Sequence, residues 1–582
     1  MRPRSIFSII SVLLLLISSS LAASASSLVD DVWVPPNFPK QGYVNVTFAD
    51  NSGVLMGAGA PHLEWRNGKS GSESLQILCT GLDDPRCSKT TGKFIYFTRL
   101  VACSDTNRVD CIESLSAIRN GVEVQGVERE VFPKVVRTKY LADASKSLPL
   151  ASSGALWNFP SIGHPGGEDF FVNAVLSGSK ESNASQFKTD GISITVSAVD
   201  LRKTTKDDGS SYVLENSRPA DGTFLGAVGI YPPYEDEQYL CVMSGDGLCA
   251  NRRALPAGLG FKMTLRLSSS PSGWLHGRIG DGNLAISPLE GQSGIRLSVE
   301  GSSVRVASLG FAYPWKEIPT EIQTKYNSGE FTNQSKLPTI GCRWCSEDPL
   351  INTLVSNPLA YGQDAFQELS AWTALRKDTA DADLNTWSVR SLSEFEMEDA
   401  IGCFAKKGQV SGFVSTNATV YSAGPPKLIK GSLDYQVAAP HFQSDGAELL
   451  GRYRLIVRSE VARCVYGFSA APVSARVTVT SADGGSQIAT TSVTERNGWI
   501  SLSADNFTFS SPVIKVKLEQ KVEPTTTPTP VASPLPVVVS PSSTPEASKP
   551  KTKNAIVCVK GSSTKRVSGK SPKCPKGFKL RA

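Results

Sequence analysis

The stretch Phe261-Lys262-Met263-Thr264-Leu265-Arg266-Leu267-Ser268 decides the fold class. Apolar and polar side chains alternate through it without a break. Successive side chains of a strand point to opposite faces, so this period of two predicts one packed and one wetted face. The same period recurs at Val44, Val46 and Phe48, and at Ile192, Ile194 and Val196. It returns at Tyr453, Leu455 and Val457, at Ala475, Val477 and Val479, and at Ile514, Val516 and Leu518. Ile295, Leu297 and Val299 run into Gly301-Ser302-Ser303 and then Val304 and Val306, which reads as a hairpin. Gly, Ser, Asn and Asp separate these runs. The expected fold is therefore mainly β, with several antiparallel β-sandwich-like domains.

Around 348–375 the period changes. Asp348-Pro349 before Leu354 and Val355 suits a capped helix that Asn357-Pro358 stops, and Asp364 opens a second with Phe366, Leu369, Trp372 and Leu375 on one face. Residues 316–402 are thus expected as a mixed helical insert. It lies between an N-terminal β-rich region of two subdomains (26–315) and a C-terminal β-sandwich (403–521). Eight prolines between Pro524 and Pro550, set among Thr, Ser, Val and Ala, make 522–553 an extended linker. Residues 554–582 follow as a short basic hairpin.

With 582 residues, 40% apolar and 20% charged, the chain is neither a disordered polymer nor a polytopic membrane protein. Arg2 and Arg4, an apolar run over 6–17 and the small residues ending near Ala25 read as a signal peptide, 1–25. That run is too short to cross a bilayer, and no longer one follows, so no transmembrane helix is expected in the mature chain. Export brings an oxidising compartment, and the twelve cysteines are expected in disulfides. Cys79 with Cys87, Cys103 with Cys111, and Cys241 with Cys249 share one spacing, and Cys558 pairs with Cys574 across a basic loop. Cys342-Arg-Trp-Cys345 lacks the second C-x-x-C or the histidine a zinc site wants, so structural bridging is favoured over redox or metal chemistry. Whether Cys342 and Cys345 join each other or cross to Cys403 and Cys464 stays open on spacing alone.

Charge is unevenly placed. No acidic residue follows Glu546, whereas eleven basic ones do, and without them the net +6 becomes −5. Lys560, Lys565, Arg566, Lys570, Lys573, Lys576 and Lys579 crowd the hairpin. Clustered cations concentrate on anionic polymers, which predicts an electrostatic anchor to the envelope or a sorting element. Exported protein meets envelope polymers and glycans rather than nucleic acid. The expected location is secreted, held at the cell surface, and the oligomeric state is left open.

Enzyme motifs are scarce, and no cofactor or metal is expected. Trp274, His276 and Arg278 fall on one face of a strand, where an indole could stack on a sugar and a guanidinium grip its carboxylate. The competing reading is an arginine packed on an aromatic ring inside the fold. Glu394, Glu396 and Glu398 alternate with Phe395 and Met397 and would share a strand face, either as a solvated edge or as the paired carboxylates of a polysaccharide hydrolase. A non-catalytic adhesion or glycan-binding protein is the expected function, with the hydrolase as the alternative.

Val461-Ala-Arg-Cys464-Val-Tyr-Gly-Phe468-Ser, Ala489-Thr-Thr-Ser-Val-Thr-Glu-Arg-Asn-Gly498-Trp499-Ile, and Phe507-Thr-Phe509-Ser-Ser-Pro512-Val-Ile-Lys-Val-Lys517 form one block. Cys558-Val-Lys-Gly and Lys573-Cys574-Pro-Lys-Gly577-Phe-Lys close the chain. These segments, over roughly 400–520 and 555–582, resemble large secreted proteins of freshwater actinobacteria that share a basic, cysteine-containing C-terminus. Ser272-Gly-Trp274-Leu-His276-Gly-Arg278-Ile and Asp110-Cys111-Ile-Glu-Ser114 resemble that group too. The resemblance implies a bacterial cell-surface or secreted location and brings no chemistry with it.

Overall fold

The structure, a computed structural model, describes residues 43–48, most of 60–203, 223–224, 241–328, most of 351–520, and 554–560, 563–569, 573–574 and 579–580. The chain divides into two compact units, Met1–Lys521 and Val522–Ala582. It is mainly β and sandwich-like, as the period of two predicts. Among the described residues no helix is long and apolar enough to cross a membrane. The apolar run at 6–17 and the proline-rich stretch lie outside the described residues.

One long sheet organises the first unit. From one edge it runs through Gln76–Cys79, His62–Arg66, Lys93–Arg99, Asp169–Glu181 and Lys188–Lys203. It continues through Ser388–Ser391, Gly273–Arg278, Val410–Thr416, Leu450–Arg458, Trp499–Thr508 and Thr490–Arg496. Its strands therefore come from all three expected regions, and 315/316 and 402/403 are not sheet boundaries.

Two smaller sheets cover it. Gly280–Pro288, Ile295–Ser302, Leu259–Leu267, Cys111–Arg119 and Val122–Gln125 form a five-stranded sheet. Its Phe261, Met263, Leu265 and Leu267 join Leu63, Tyr96, Leu176 and Ile194 of the long sheet in the first core. A seven-stranded sheet that includes Val420–Ser422, Ser432–Ala438, Val513–Gln520 and Val473–Thr480 builds the second core. The two covering sheets lie on opposite faces. Along Leu450–Arg458, Ile456 joins the first core while Tyr453, Leu455 and Val457 join the second. Along Val410–Thr416, Phe413 faces the first and Val414 the second. Strands at the overlap are thus covered on both sides, and every residue of Gly273–Arg278 and Val410–Thr416 is buried.

Two local expectations change. The strands around Gly301-Ser302-Ser303 do not form a hairpin. Ile295–Ser302 pairs with Leu259–Leu267 and Gly280–Pro288, whereas Val304–Pro314 pairs with Tyr43–Phe48 and Ala382–Thr386 in a separate four-stranded sheet. The glycine-serine turn moves the chain between sheets instead of folding it back. Ile351–Ser356 is a strand, parallel to Tyr43–Phe48, where a helix was expected. Six residues with only Ile351, Leu354 and Val355 apolar carry too little period to separate the two, and an open sheet edge decides it. The second helix does form, over Asp364–Leu375, and packs Phe366, Leu369 and Trp372 on Phe48, Leu309 and Phe311.

In the second unit, Asn554–Lys560 pairs antiparallel with Ser563–Gly569 and with Lys579–Leu580. The expected hairpin thus gains a third strand.

Candidate functional site

The three residues singled out for glycan contact do share a strand face, and that face is inside the protein. Trp274, His276 and Arg278 are 0%, 4% and 1% exposed. Their strand lies between Ser388–Ser391 and Val410–Thr416, with the seven-stranded sheet above. His276 stacks on Tyr421 with ring centroids 4.0 Å apart and planes within 3°. The Arg278 guanidinium sits 4.6 Å from the centroid of the same tyrosine. Its Nη1 donates to the carbonyls of Thr416 (2.8 Å) and Ala418 (2.6 Å). The arginine is thus the packed, cation–π kind. No sugar can reach a ring covered on both sides, so the surface-contact reading of these residues is withdrawn. Alternation showed that they share a side; it could not show that a second sheet covers that side.

Glu394, Glu396 and Glu398 also depart from expectation. They occupy turns, not a strand. Glu394 and Glu398 are exposed, whereas Glu396 is buried against Arg390. Arg390 Nη1 and Nη2 donate to the two Glu396 carboxylate oxygens at 2.8 and 2.7 Å. The backbone N–H and hydroxyl of Ser393 donate to Glu396 as well, at 2.8 and 2.9 Å. Burial alone would raise the Glu396 pKa, but Arg390 and Ser393 together hold it below the usual carboxylate value. Arg390 also reaches the Tyr421 hydroxyl at 3.4 Å. Tyr421 therefore gathers His276, Arg278 and Arg390 into one polar knot between the layers. A carboxylate locked by a fork and two Ser393 donors has no capacity left for acid/base work, so these glutamates supply no hydrolase pair.

Cysteine pairing is partly resolved. Cys79–Cys87 and Cys103–Cys111 are bridged, as is Cys403–Cys464. That last bridge removes the crossed alternative for Cys342 and Cys345, which themselves lie outside the described residues. Cys249 and Cys574 are also disulfide-bonded. Of the basic cluster, Lys573 and Lys579 are exposed; Lys560, Lys565 and Arg566 lie on the paired strands, and Lys570 and Lys576 fall outside the described residues.

The geometry brings together a different group. Where Gly280–Pro288 meets the far half of the long sheet, a shallow surface depression forms. Asp281, Arg452, Arg454 and Asp505 line it, above Ser415, while the Tyr453 ring belongs to the second core on the other face of the strand. Two register breaks shape it. One falls between Gly280 and Asn283, where Asp281 has φ 52°. The other lies opposite Gly451/Arg452, where the unpaired Asn506 has φ 61°. Such bulges re-aim side chains and recur beside functional sites. Asn417 holds the second in place: its amide donates to the Leu450 carbonyl (3.0 Å) and its oxygen accepts from the Arg452 N–H (2.7 Å). Burial raises the Asp505 pKa above the ordinary carboxylate value and Asp281 adds to the rise, while Ser503, Arg452 and Arg454 oppose it. The legible signal was Gly280-Asp281-Gly282-Asn283, a turn-like break inside a strand pattern. Asp505 had no such signal, because its cross-strand partner Arg452 is 53 residues away.

Comparison with protein-family models, with curated proteins and with solved structures finds no match for this chain.

Proposed function

We propose that this is an exported, non-catalytic surface protein: a β-sandwich body with an adhesion or glycan-binding role, held to the anionic envelope by its basic module at 554–582. The observation that carries the reading is the split in charge. Eleven basic and no acidic residues follow Glu546, beyond a proline-rich spacer, while the remainder is net negative. The module's three-stranded pairing and the bridged Cys574 support a displayed, ordered element rather than a loose tail. So small a sheet buries little, and a disulfide compensates. Fixed lysines then present a dense positive surface, whose attraction to a polyanion is screened by salt. The disulfides within the body fit the same oxidising location.

Cell fractionation tests this. The full chain should stay with cells and elute at about 1 M salt, where the screening length falls to ~3 Å. A chain ending at residue 548 should appear in the medium. Retention of the shortened chain at the surface would remove the anchor.

A further inference from the structure

We propose that Tyr43–Phe48 is an exchangeable donor strand: the Tyr43–Phe48 of one copy of this chain fills the slot between Val304–Pro314 and Ile351–Ser356 of a second copy and links the two head to tail. The inference goes beyond the function above and uses neither the basic module nor glycan contact. Three features carry it.

The first is the slot. Tyr43–Phe48 is a central strand of the four-stranded sheet, antiparallel to Val304–Pro314 on one side and parallel to Ile351–Ser356 on the other. Every other strand of that sheet comes from 304–386. Withdrawing the strand would open two backbone ladders at once and uncover a core. Val46 and Phe48 are 0% and 1% exposed and pack with Leu309, Phe311, Phe366 and Trp372. An added strand is recognised by its main-chain hydrogen bonds and by pockets for alternate side chains. The same strand from a second copy meets the same two ladders with the same two apolar plugs.

The second is connectivity. Among the described residues the strand pairs with nothing near it in sequence: Val46 stands opposite Phe311 and Leu354. The next strand of the chain, His62–Arg66, enters the long sheet instead. Residues 49–61 join the two strands, with glycine at 53, 57 and 59. Fully extended, a link of that length reaches roughly 45 Å, far enough to serve a neighbouring molecule.

The third is the lack of a staple. Residues 1–78 contain no cysteine, so no disulfide ties Tyr43–Phe48 to its slot. Elsewhere in the unit, Cys79–Cys87, Cys103–Cys111 and Cys403–Cys464 are bridged. Non-covalent contacts alone retain the strand, and they are the same whether it seats in its own copy or in another. What differs is concentration. A short tether holds the strand near its own slot at an effective concentration of about 1 mM, so dilute chains close on themselves and crowded chains exchange. The contact is heterologous: each linked copy still offers a strand or a slot, and the copies extend into a row or close into a ring.

Disulfide trapping between two single variants of the full chain tests this. Asn45 stands opposite Ala312. Opposed residues of antiparallel strands lie about 4.5–5.5 Å apart at Cα, within the span of a disulfide. Asn45→Cys chains are mixed with Ala312→Cys chains under mild oxidation, and the 45–312 linkage is read by mass spectrometry. Asn45→Cys mixed with Ser287→Cys, an exposed position on Gly280–Pro288 of another sheet, gives the yield of chance collision. Seated strands hold their thiols together, so the 45–312 heterodimer should exceed the 45–287 one by about tenfold or more and should rise with chain concentration. Adding Val46→Asp to the Asn45→Cys chain should abolish the excess, because an unpaired carboxylate is expelled from an apolar slot. A dilute chain carrying both Asn45→Cys and Ala312→Cys should close the bond on itself. Closure of that chain with no excess in the mixture overturns exchange and leaves the strand fixed in its own copy. No 45–312 bond in the doubly substituted chain overturns the slot, and an excess that survives Val46→Asp overturns seating of the strand as its cause.

Discussion

Asp110 offers the sharpest test of the fold's energetics. It directly precedes Cys111 of the Cys103–Cys111 bridge and is 6% exposed. Its carboxylate accepts a 2.8 Å bond from the Ser268 N–H, and its charge raises the pKa of nearby Tyr96 and Tyr140. Both tyrosines are themselves pushed up by burial and stay neutral below pH 10. With no cation acting on it, burial raises the Asp110 pKa from 3.8 to about 6, although the Ser268 bonds oppose the rise. The sign follows from proton counting. Between about pH 4 and 6 the folded chain keeps a proton that the unfolded chain has released, so stability falls as pH rises through that window and is level above it. At roughly 1.4 kcal/mol per pH unit, the cost at pH 7.5 is about 3 kcal/mol. Asp110→Asn removes it. The amide is neutral at every pH, its oxygen accepts the same Ser268 bond, and asparagine tolerates the φ of 56° found here. Denaturant unfolding with disulfides intact should show the variant more stable by up to about 3 kcal/mol at pH 7.5 and indistinguishable at pH 4. A gain of equal size at both pH values, or a loss at pH 7.5, refutes the reasoning.

Two further outcomes concern the inter-layer knot and the staple beside it. Glu396→Gln leaves the Arg390 guanidinium buried without its counter-charge and should cost about 3–5 kcal/mol in denaturant unfolding, while adding Arg390→Met should recover most of the loss. Replacing Cys403 and Cys464 together by serine opens a loop of sequence separation 61 and should cost about 4 kcal/mol on the chain-entropy account, read from the same unfolding midpoint.

Much of the fold is legible from alternation because each strand must place its apolar set on a core. Phe261, Met263, Leu265 and Leu267 are all buried, as are Ile514, Val516 and Leu518. The site is less legible because alternation says nothing about the second face. Trp274-Leu275-His276-Gly277-Arg278 and Arg452-Tyr453-Arg454-Leu455 alternate alike, yet the polar set of one is sealed and that of the other lines a surface depression. The difference lies in the glycines. A Cβ on Gly412 would strike the Trp274 ring, and one on Gly277 would come within 2.6 Å of Phe413. The two neighbouring strands are bare at the points where large rings from either core must lie flat on them. Glycine inside a strand marks such close approach, and paired glycines on adjacent strands mark it from both sides. Among the described residues, no such ring closes over Arg452 and Arg454 through a glycine. Gly280 instead brings an edge strand's backbone up to the Arg452 guanidinium, 3.3 Å from where a Cβ would be, and the cover stops there. Glycine placement therefore separates a doubly covered strand from a half-covered one.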